Sequence, residues 1–169
     1  MNAADPSGCF APLLGKDQAA AWREALRASG KRVVFTNGVF DVLHAGHVSY
    51  LAWARSQGDA LIVGVNSDES VRRLKGERRP IVPFAQRAHV LCALRSVDAV
   101  VEFSEATPEV LLDALKVDVH VKSAQYTEEE LPERDVVLAH GGTIALAPHV
   151  EGSSTTDTIA RIISRYCGP

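Results

Sequence analysis

Short apolar runs alternate with stretches of helical spacing along most of the chain. Val33-Val34-Phe35 is a β-rich apolar run, and residues 60–65 form a second, as expected of a strand covered on both faces. Residues 99–101, 117–121 and 144–147 supply three more predicted strands. Between them, helical spacing predicts helices near 17–28, 46–57, 67–74, 84–94, 108–115, 133–140 and 155–166. Gly30 and Gly58 stop the first two, and Pro108 suits a first helical turn. Strand and helix in alternation imply βαβ units with right-handed crossovers. The expectation is therefore one α/β domain over residues 16–169: a doubly wound, parallel, five-stranded sheet with helices on both faces. Residues 1–15, rich in Ala, Gly and Pro, read as a loose leader.

Composition narrows the class without naming a chemistry. A chain of 169 residues, 46% hydrophobic and 23% charged, suits a single soluble domain. Its net charge of −3 advertises neither a nucleic-acid nor a membrane partner. Cys9, Cys92 and Cys167 are odd in number and widely spaced, so neither a disulfide framework nor a zinc site is indicated, and no metal-ligand motif is encoded. The N-terminus lacks the pattern of a signal peptide, and no apolar run reaches the roughly 18–20 residues that span a bilayer. Cytoplasm is the expected compartment.

In a doubly wound sheet, ligands sit beyond the carboxyl ends of the strands. That rule selects residues 36–47, 66–70, 122–126 and 148–156. The first is the richest: Thr36-Asn37-Gly38-Val39-Phe40-Asp41 leads to His44-Ala45-Gly46-His47 at a predicted helix start. Gly46 permits close approach of a ligand, the helix start offers free N–H groups to a phosphate, and His44 and His47, three apart, project to one side. Two imidazoles there can stabilise charge growing on phosphate oxygens. Asn66 and Asp68 follow the second strand, where helix capping accounts for Ser67 or Asp68 as well as substrate contact does. The basic run Arg72-Arg73-Leu74-Lys75-Gly76-Glu77-Arg78-Arg79 lies at the same end and suits an anion. The hydroxyl run Ser154-Thr155-Thr156 opens the last helix, as an N-cap and as a phosphate cradle.

The segment from Thr36 to His47 resembles the signature of the nucleotidyltransferase superfamily with the HIGH-type motif. Residues 33–163 further resemble the adenylyltransferases that form ADP-heptose from D-glycero-β-D-manno-heptose 1-phosphate. The resemblance implies a Rossmann-like sheet, ATP with Mg²⁺, a sugar 1-phosphate acceptor, and a homodimer or larger homo-oligomer. It assigns His44, His47 and Lys75 to catalysis, and Thr36, Asn37, Gly38, Phe40, Gly46, Ser154, Thr155 and Thr156 to the nucleotide and its phosphates. Asp41, Asn66, Asp68, Arg87, Lys122 and Gln125 become candidate acceptor contacts. Asp41 could equally hold the turn, and Arg87 a structural salt bridge.

Two departures bear on the acceptor. Glycerol-3-phosphate cytidylyltransferases typically carry arginine where this chain has His149, which favours the heptose side. The usual Gly-Gly-Asp after Val-Lys is replaced by Ser123-Ala124-Gln125. The alternatives are thus a cytidylyltransferase acting on a polyol phosphate, and a paralogue that binds nucleotide without turnover. No G-x-G-x-x-G follows the first strand, which argues against a dinucleotide-dependent oxidoreductase.

Overall fold

The structure, a computed structural model, describes residues 10–148 and 154–166. Cys9, Cys167, His149 and the Glu151-Gly152 pair before the hydroxyl run lie outside these residues. In chain order the elements are β1 (Leu13–Leu14), α1 (Lys16–Ala28), β2 (Val33–Gly38), α2 (Ala45–Arg55), β3 (Ala60–Asn66), α3 (Asp68–Lys75) and α4 (Phe84–Cys92). They continue with β4 (Ala99–Phe103), α5 (Glu109–Leu115), β5 (Val119–Ser123), a single 3₁₀ turn (Glu128–Glu130), α6 (Arg134–Ala139), β6 (Thr143–Ala147) and α7 (Thr155–Tyr166).

The sheet is wholly parallel, in the order β1-β4-β3-β2-β5-β6. It has six strands rather than the expected five. The sixth comes from the segment read as leader: Leu13 and Leu14 pair with Val100 and Val101 and extend the β4 edge. A two-residue strand is too short for alternation to register, so the sequence pattern passes over it.

Alternation within the strands builds two cores. Val34, Leu61, Val63, Val65, Val100 and Val121 face α2 and α4, where Leu51, Ala54, Ala88 and Leu91 meet them. Val33, Phe35, Ile62, Ala99 and Val101 face α1, α5 and α6, packing on Ala19, Leu111, Leu112, Leu115 and Val137. β3 is buried along its whole length, which explains its continuous apolar run. Helix α7 contributes no buried residue, and its Ile162, Ile163 and Tyr166 are exposed. Among the described residues no helix is long and apolar enough to cross a membrane.

From β2 the chain steps outward to β3 and β4, then returns to β5 on the other flank of β2. The order therefore reverses between β2 and β5, and a crevice must open beyond their carboxyl ends.

Candidate active site

A cleft of about 520 Å³ lies at that reversal. Asn37, Gly38, Val39 and Phe40 form one wall as β2 ends, with His44, Gly46, His47 and Tyr50 from the start of α2. Asn66 ends β3, Lys75 ends α3, and Lys122, Ser123, Gln125 and Tyr126 follow β5. Pro148, Ser154 and Thr155 close the rim. All four segments selected from the sequence meet here.

The β2–α2 turn is wound tightly. Phe40 and Val42 have φ of 48° and 51°, in the left-handed region that L-residues avoid. A side chain at Gly38 would approach the Phe40 ring to 3.1 Å, so the glycine lets that ring fold back against the strand end. Between the two strained residues, Asp41 points inward and is buried. Its carboxylate accepts from Arg79 Nε at 2.6 Å and from the N–H groups of Ile81 and Val82, each at 2.9 Å. Burial alone would raise its pKa; the two backbone donors and Arg79 outweigh it and hold the carboxyl below its ordinary value. The Asp41 carbonyl accepts from the Thr155 hydroxyl at 2.7 Å, tying the first motif to the last.

His44 is the N-cap of α2, and its side chain makes no capping bond. Its ring stacks on His47 with centroids 3.8 Å apart and a 24° tilt, and Phe40 meets the other imidazole edge-on at 5.3 Å. In both rings Nδ1 is buried without a partner, leaving Nε2 as the nitrogen open to the cleft. A buried lone pair is cheaper to leave unpaired than a buried N–H, so the favoured neutral tautomer carries its proton on Nε2. Burial, with the neighbouring His44 second, lowers the His47 pKa to about 4. At neutral pH the second imidazole is an uncharged Nε2–H donor aimed at the cleft.

Lys75 stands at the last position of α3, before Gly76 with φ of 90°. Among the described residues it has no hydrogen-bond or ion-pair partner. Its basic neighbours divide: Arg73 pairs with Glu69 at 2.5 Å and Arg79 with Asp41, so these two are occupied by the protein itself. Ser154 caps α7 by accepting from the Asp157 N–H at 3.0 Å.

Several expected contacts fall outside the cleft lining. Thr36 is fully buried beneath the floor, where its hydroxyl lies 2.7 Å from Tyr50 Oη and 2.9 Å from the Val121 carbonyl. Its place in the middle of the sheet, not at the strand end, leaves it outside the lining. Asp41 answers to the alternative of holding the turn, since three donors already occupy its carboxylate. Asp68 accepts from the Phe84 N–H at 2.8 Å and from Arg87 at 2.7 Å. Arg87 also donates to the Val39, Asn66 and Val82 carbonyls, clamping the strand ends from below. Thr156 is exposed on α7, away from the lining.

Other participants carry no motif in the sequence. Tyr50, one helical turn after His47, lines the cleft and donates to the Val121 carbonyl at 3.0 Å. Burial raises its phenol to about 12, so it stays protonated. The i, i+3 spacing from His47 was the available signal. Lys122 Nζ lies 2.9 Å from Glu133, a residue at the start of α6 that no local motif marks. Among the described residues no group of three His, Cys, Asp or Glu side chains could hold a metal ion. Among the described residues, none that lines the cleft carries a carboxylate.

Comparison with known proteins places this geometry among relatives. The cytidylyltransferase-like family model matches residues 35–161. The bifunctional protein HldE of Pelobacter propionicus is 51% identical over 154 residues, covering 91% of this chain and 32% of its own length. That of Halorhodospira halophila is 55% identical over 146 residues, covering 86% and 30%. The chain thus spans about a third of the length of the curated relatives it matches. Among solved structures, the lipopolysaccharide core biosynthesis protein from Thermoplasma volcanium superposes with a TM-score of 0.60 at 27% identity, covering 73% of this chain and all of its own. Pantoate-beta-alanine ligase from Francisella tularensis, complexed with beta-gamma ATP and beta-alanine, gives 0.59 at 15% identity, covering 94% and 79%. At that identity the likeness is one of fold alone.

Proposed function

The chain belongs to the cytidylyltransferase-like family of nucleotidyltransferases, and from that premise we propose that it transfers AMP from ATP to a sugar 1-phosphate. The acceptor of this reading is D-glycero-β-D-manno-heptose 1-phosphate, and the products are ADP-heptose and pyrophosphate. One observation carries the chemistry: two stacked imidazoles, both presenting Nε2 to a cleft at the reversal between β2 and β5.

The acceptor phosphate is already a nucleophile, so neither a base nor a covalent intermediate is required. It attacks the α-phosphorus in line as pyrophosphate leaves. Catalysis then consists of positioning and of stabilising the negative charge that grows on phosphate oxygens. His44 and His47 take that charge through Nε2 and through the N–H groups opening α2. Lys75, free of any protein counter-ion among the described residues, reaches the leaving pyrophosphate. Ser154 and Thr155 approach the same phosphates, while their hydroxyls also bind α7 to itself and to the β2–α2 turn. Asn37, Gly38, Phe40 and Gly46 shape the nucleotide side. Asn66, Lys122 and Gln125 face the acceptor.

Mg²⁺ belongs to this reading as the companion of ATP, neutralising phosphate charge. With no carboxylate in the cleft lining, the described residues do not compose a metal site, and no step is assigned to one. A cytoplasmic location and a homodimer or larger homo-oligomer complete the reading, with Ile162, Ile163 and Tyr166 as available apolar surface.

The test is pyrophosphate release with Mg²⁺, offering ATP or CTP against heptose 1-phosphate or glycerol 3-phosphate. Release with ATP and heptose 1-phosphate is expected, and it would make Ser123-Ala124-Gln125 tolerated drift. Release with CTP and glycerol 3-phosphate would replace both donor and acceptor. ATP binding without release from any pair would identify a paralogue that has lost turnover.

A further inference from the structure

Beneath the acceptor side of the cleft, Glu133 and His120 are two buried groups that the transfer step does not use, and Glu133 joins both in one network with Lys122. Glu133, at the start of α6, is 1% exposed. A single carboxylate oxygen, Oε1, lies 3.0 Å from His120 Nε2 and 2.9 Å from Lys122 Nζ. His120 and Lys122 are two apart on β5, hence on one face of the strand. His120 is fully buried, stacked on Phe35, and its Nδ1 has no partner. Burial holds the imidazole below its ordinary pKa, so it is a neutral ring whose Nε2–H donates to the carboxylate. Burial would raise Glu133, but donation from His120 and the Lys122 ammonium outweigh it and hold the carboxyl at about 2. The network is therefore one carboxylate and one ammonium, with His120 neutral.

An ammonium has three donors. Glu133 takes one. Asn37 Oδ1 stands 3.5 Å away and the Tyr126 ring centroid 5.6 Å away, both on the cleft. A phosphate arriving at Lys122 would meet a cation already matched by a buried carboxylate 2.9 Å off, and would be repelled by that carboxylate. A neutral hydroxyl meets no such repulsion, and an amide and an aromatic face beside it suit a sugar ring. Lys75, without a carboxylate partner among the described residues, is the contrasting, phosphate-seeking lysine.

We propose that Glu133, oriented by His120, is a positioning residue that fixes Lys122 beside Asn37 and Tyr126, and that these three form a subsite for the acceptor's hydroxyl groups and not for its phosphate. The assignment of that acceptor as a sugar phosphate rests on the function proposed above.

Acetylation of lysines by acetic anhydride, read peptide by peptide by mass spectrometry, tests this without turnover. With Lys75 as internal reference, Lys122 should label slowly in the native chain and about tenfold faster in Glu133→Gln, which removes a charged hydrogen bond. Equal labelling of Lys122 in both proteins would overturn the positioning role. Heptose 1-phosphate should protect Lys122, whereas inorganic phosphate at the same concentration should not. Protection by inorganic phosphate, or by neither, would overturn the hydroxyl subsite.

Should Glu133→Gln fail to fold, the double variant with Lys122→Met removes both charges of the pair together. Relative to Lys122→Met alone, it should change KM for heptose 1-phosphate less than about twofold, as expected if Glu133 acts through Lys122. A further large rise would refute that. Failure of the native chain to release pyrophosphate from ATP and heptose 1-phosphate would defeat the function reading. The labelling comparison would still decide the role of Glu133.

Discussion

The rings of His44 and His47 lie face to face, their centroids 3.8 Å apart, so charge on His44 disfavours a proton on His47. Both present Nε2 to the cleft, and His47 is held neutral to about pH 4. Replacing either imidazole removes a donor to the phosphates while leaving the sheet intact. His44→Ala and His47→Ala are each expected to lower kcat by roughly 10²–10³ with little change in melting temperature. Steady-state pyrophosphate release and thermal melting check this, and near-normal turnover in both variants would refute the assignment.

The depressed His47 pKa has a consequence for stability. Between pH 6.5 and about 4 the unfolded chain takes up a proton at this residue and the folded chain does not. Stability from His47 is thus present above pH 6.5 and lost as pH falls through that window. Urea denaturation at pH 7 and at pH 5 should show the native chain losing on the order of 1 kcal/mol more than His47→Gln, allowing for partial exposure. Equal losses would mean that the imidazole titrates normally.

Asp41→Asn keeps the shape of the side chain and removes the charge that Arg79, Ile81 and Val82 address. With the carboxylate buried between two left-handed residues, the loss should cost about 2 kcal/mol in denaturant unfolding. An unchanged midpoint would indicate that the turn holds without it.

Thr36 offers the opposite case. Its hydroxyl shares the Val121 carbonyl with Tyr50, and three short contacts draw on only two hydroxyl protons. Thr36→Val should therefore cost only about 1 kcal/mol, since Tyr50 keeps the carbonyl satisfied. KM for ATP should stay within about twofold, because no bond to substrate is removed. A large rise in that KM would return Thr36 to the nucleotide.

Lys75 has no protein counter-ion among the described residues, so Lys75→Ala should leave the melting temperature unchanged. Loss of a charged contact to the leaving pyrophosphate should lower kcat/KM for ATP about ten- to a hundredfold. Unaltered kcat/KM would place the basic loop outside catalysis.

The sequence by itself determined the alternation of strand and helix, because side chains of period two and of helical period leave different apolar patterns. Among the described residues, five of the six strands and all seven helices follow from that pattern. So does the choice of strand ends, since a doubly wound sheet opens at the carboxyl edge. His44, His47, Lys122 and Ser154 come from segments so chosen and Lys75 from the basic run at the same end of the sheet, and all five line the cleft. The strand Leu13–Leu14 escaped, being defined by its pairing with β4 and not by any pattern of its own.

Tertiary structure alone decided which polar side chains face the cleft and which hold it together. Thr36, Asp41, Asp68 and Arg87 occupy the same chain segments, or the same end of the sheet, as the cleft residues, but their partners come from Val121, Arg79, Phe84 and Val39. Those partners are brought close only when strands pair and the β2–α2 turn closes. Glu133 is the clearest instance: nothing around it in the chain marks it, yet folding sets it beneath Lys122 from the middle of the β5–β6 crossover. A hydrogen bond between distant residues has no local spacing to read, whereas a capped helix or an alternating strand carries its signature within a few positions.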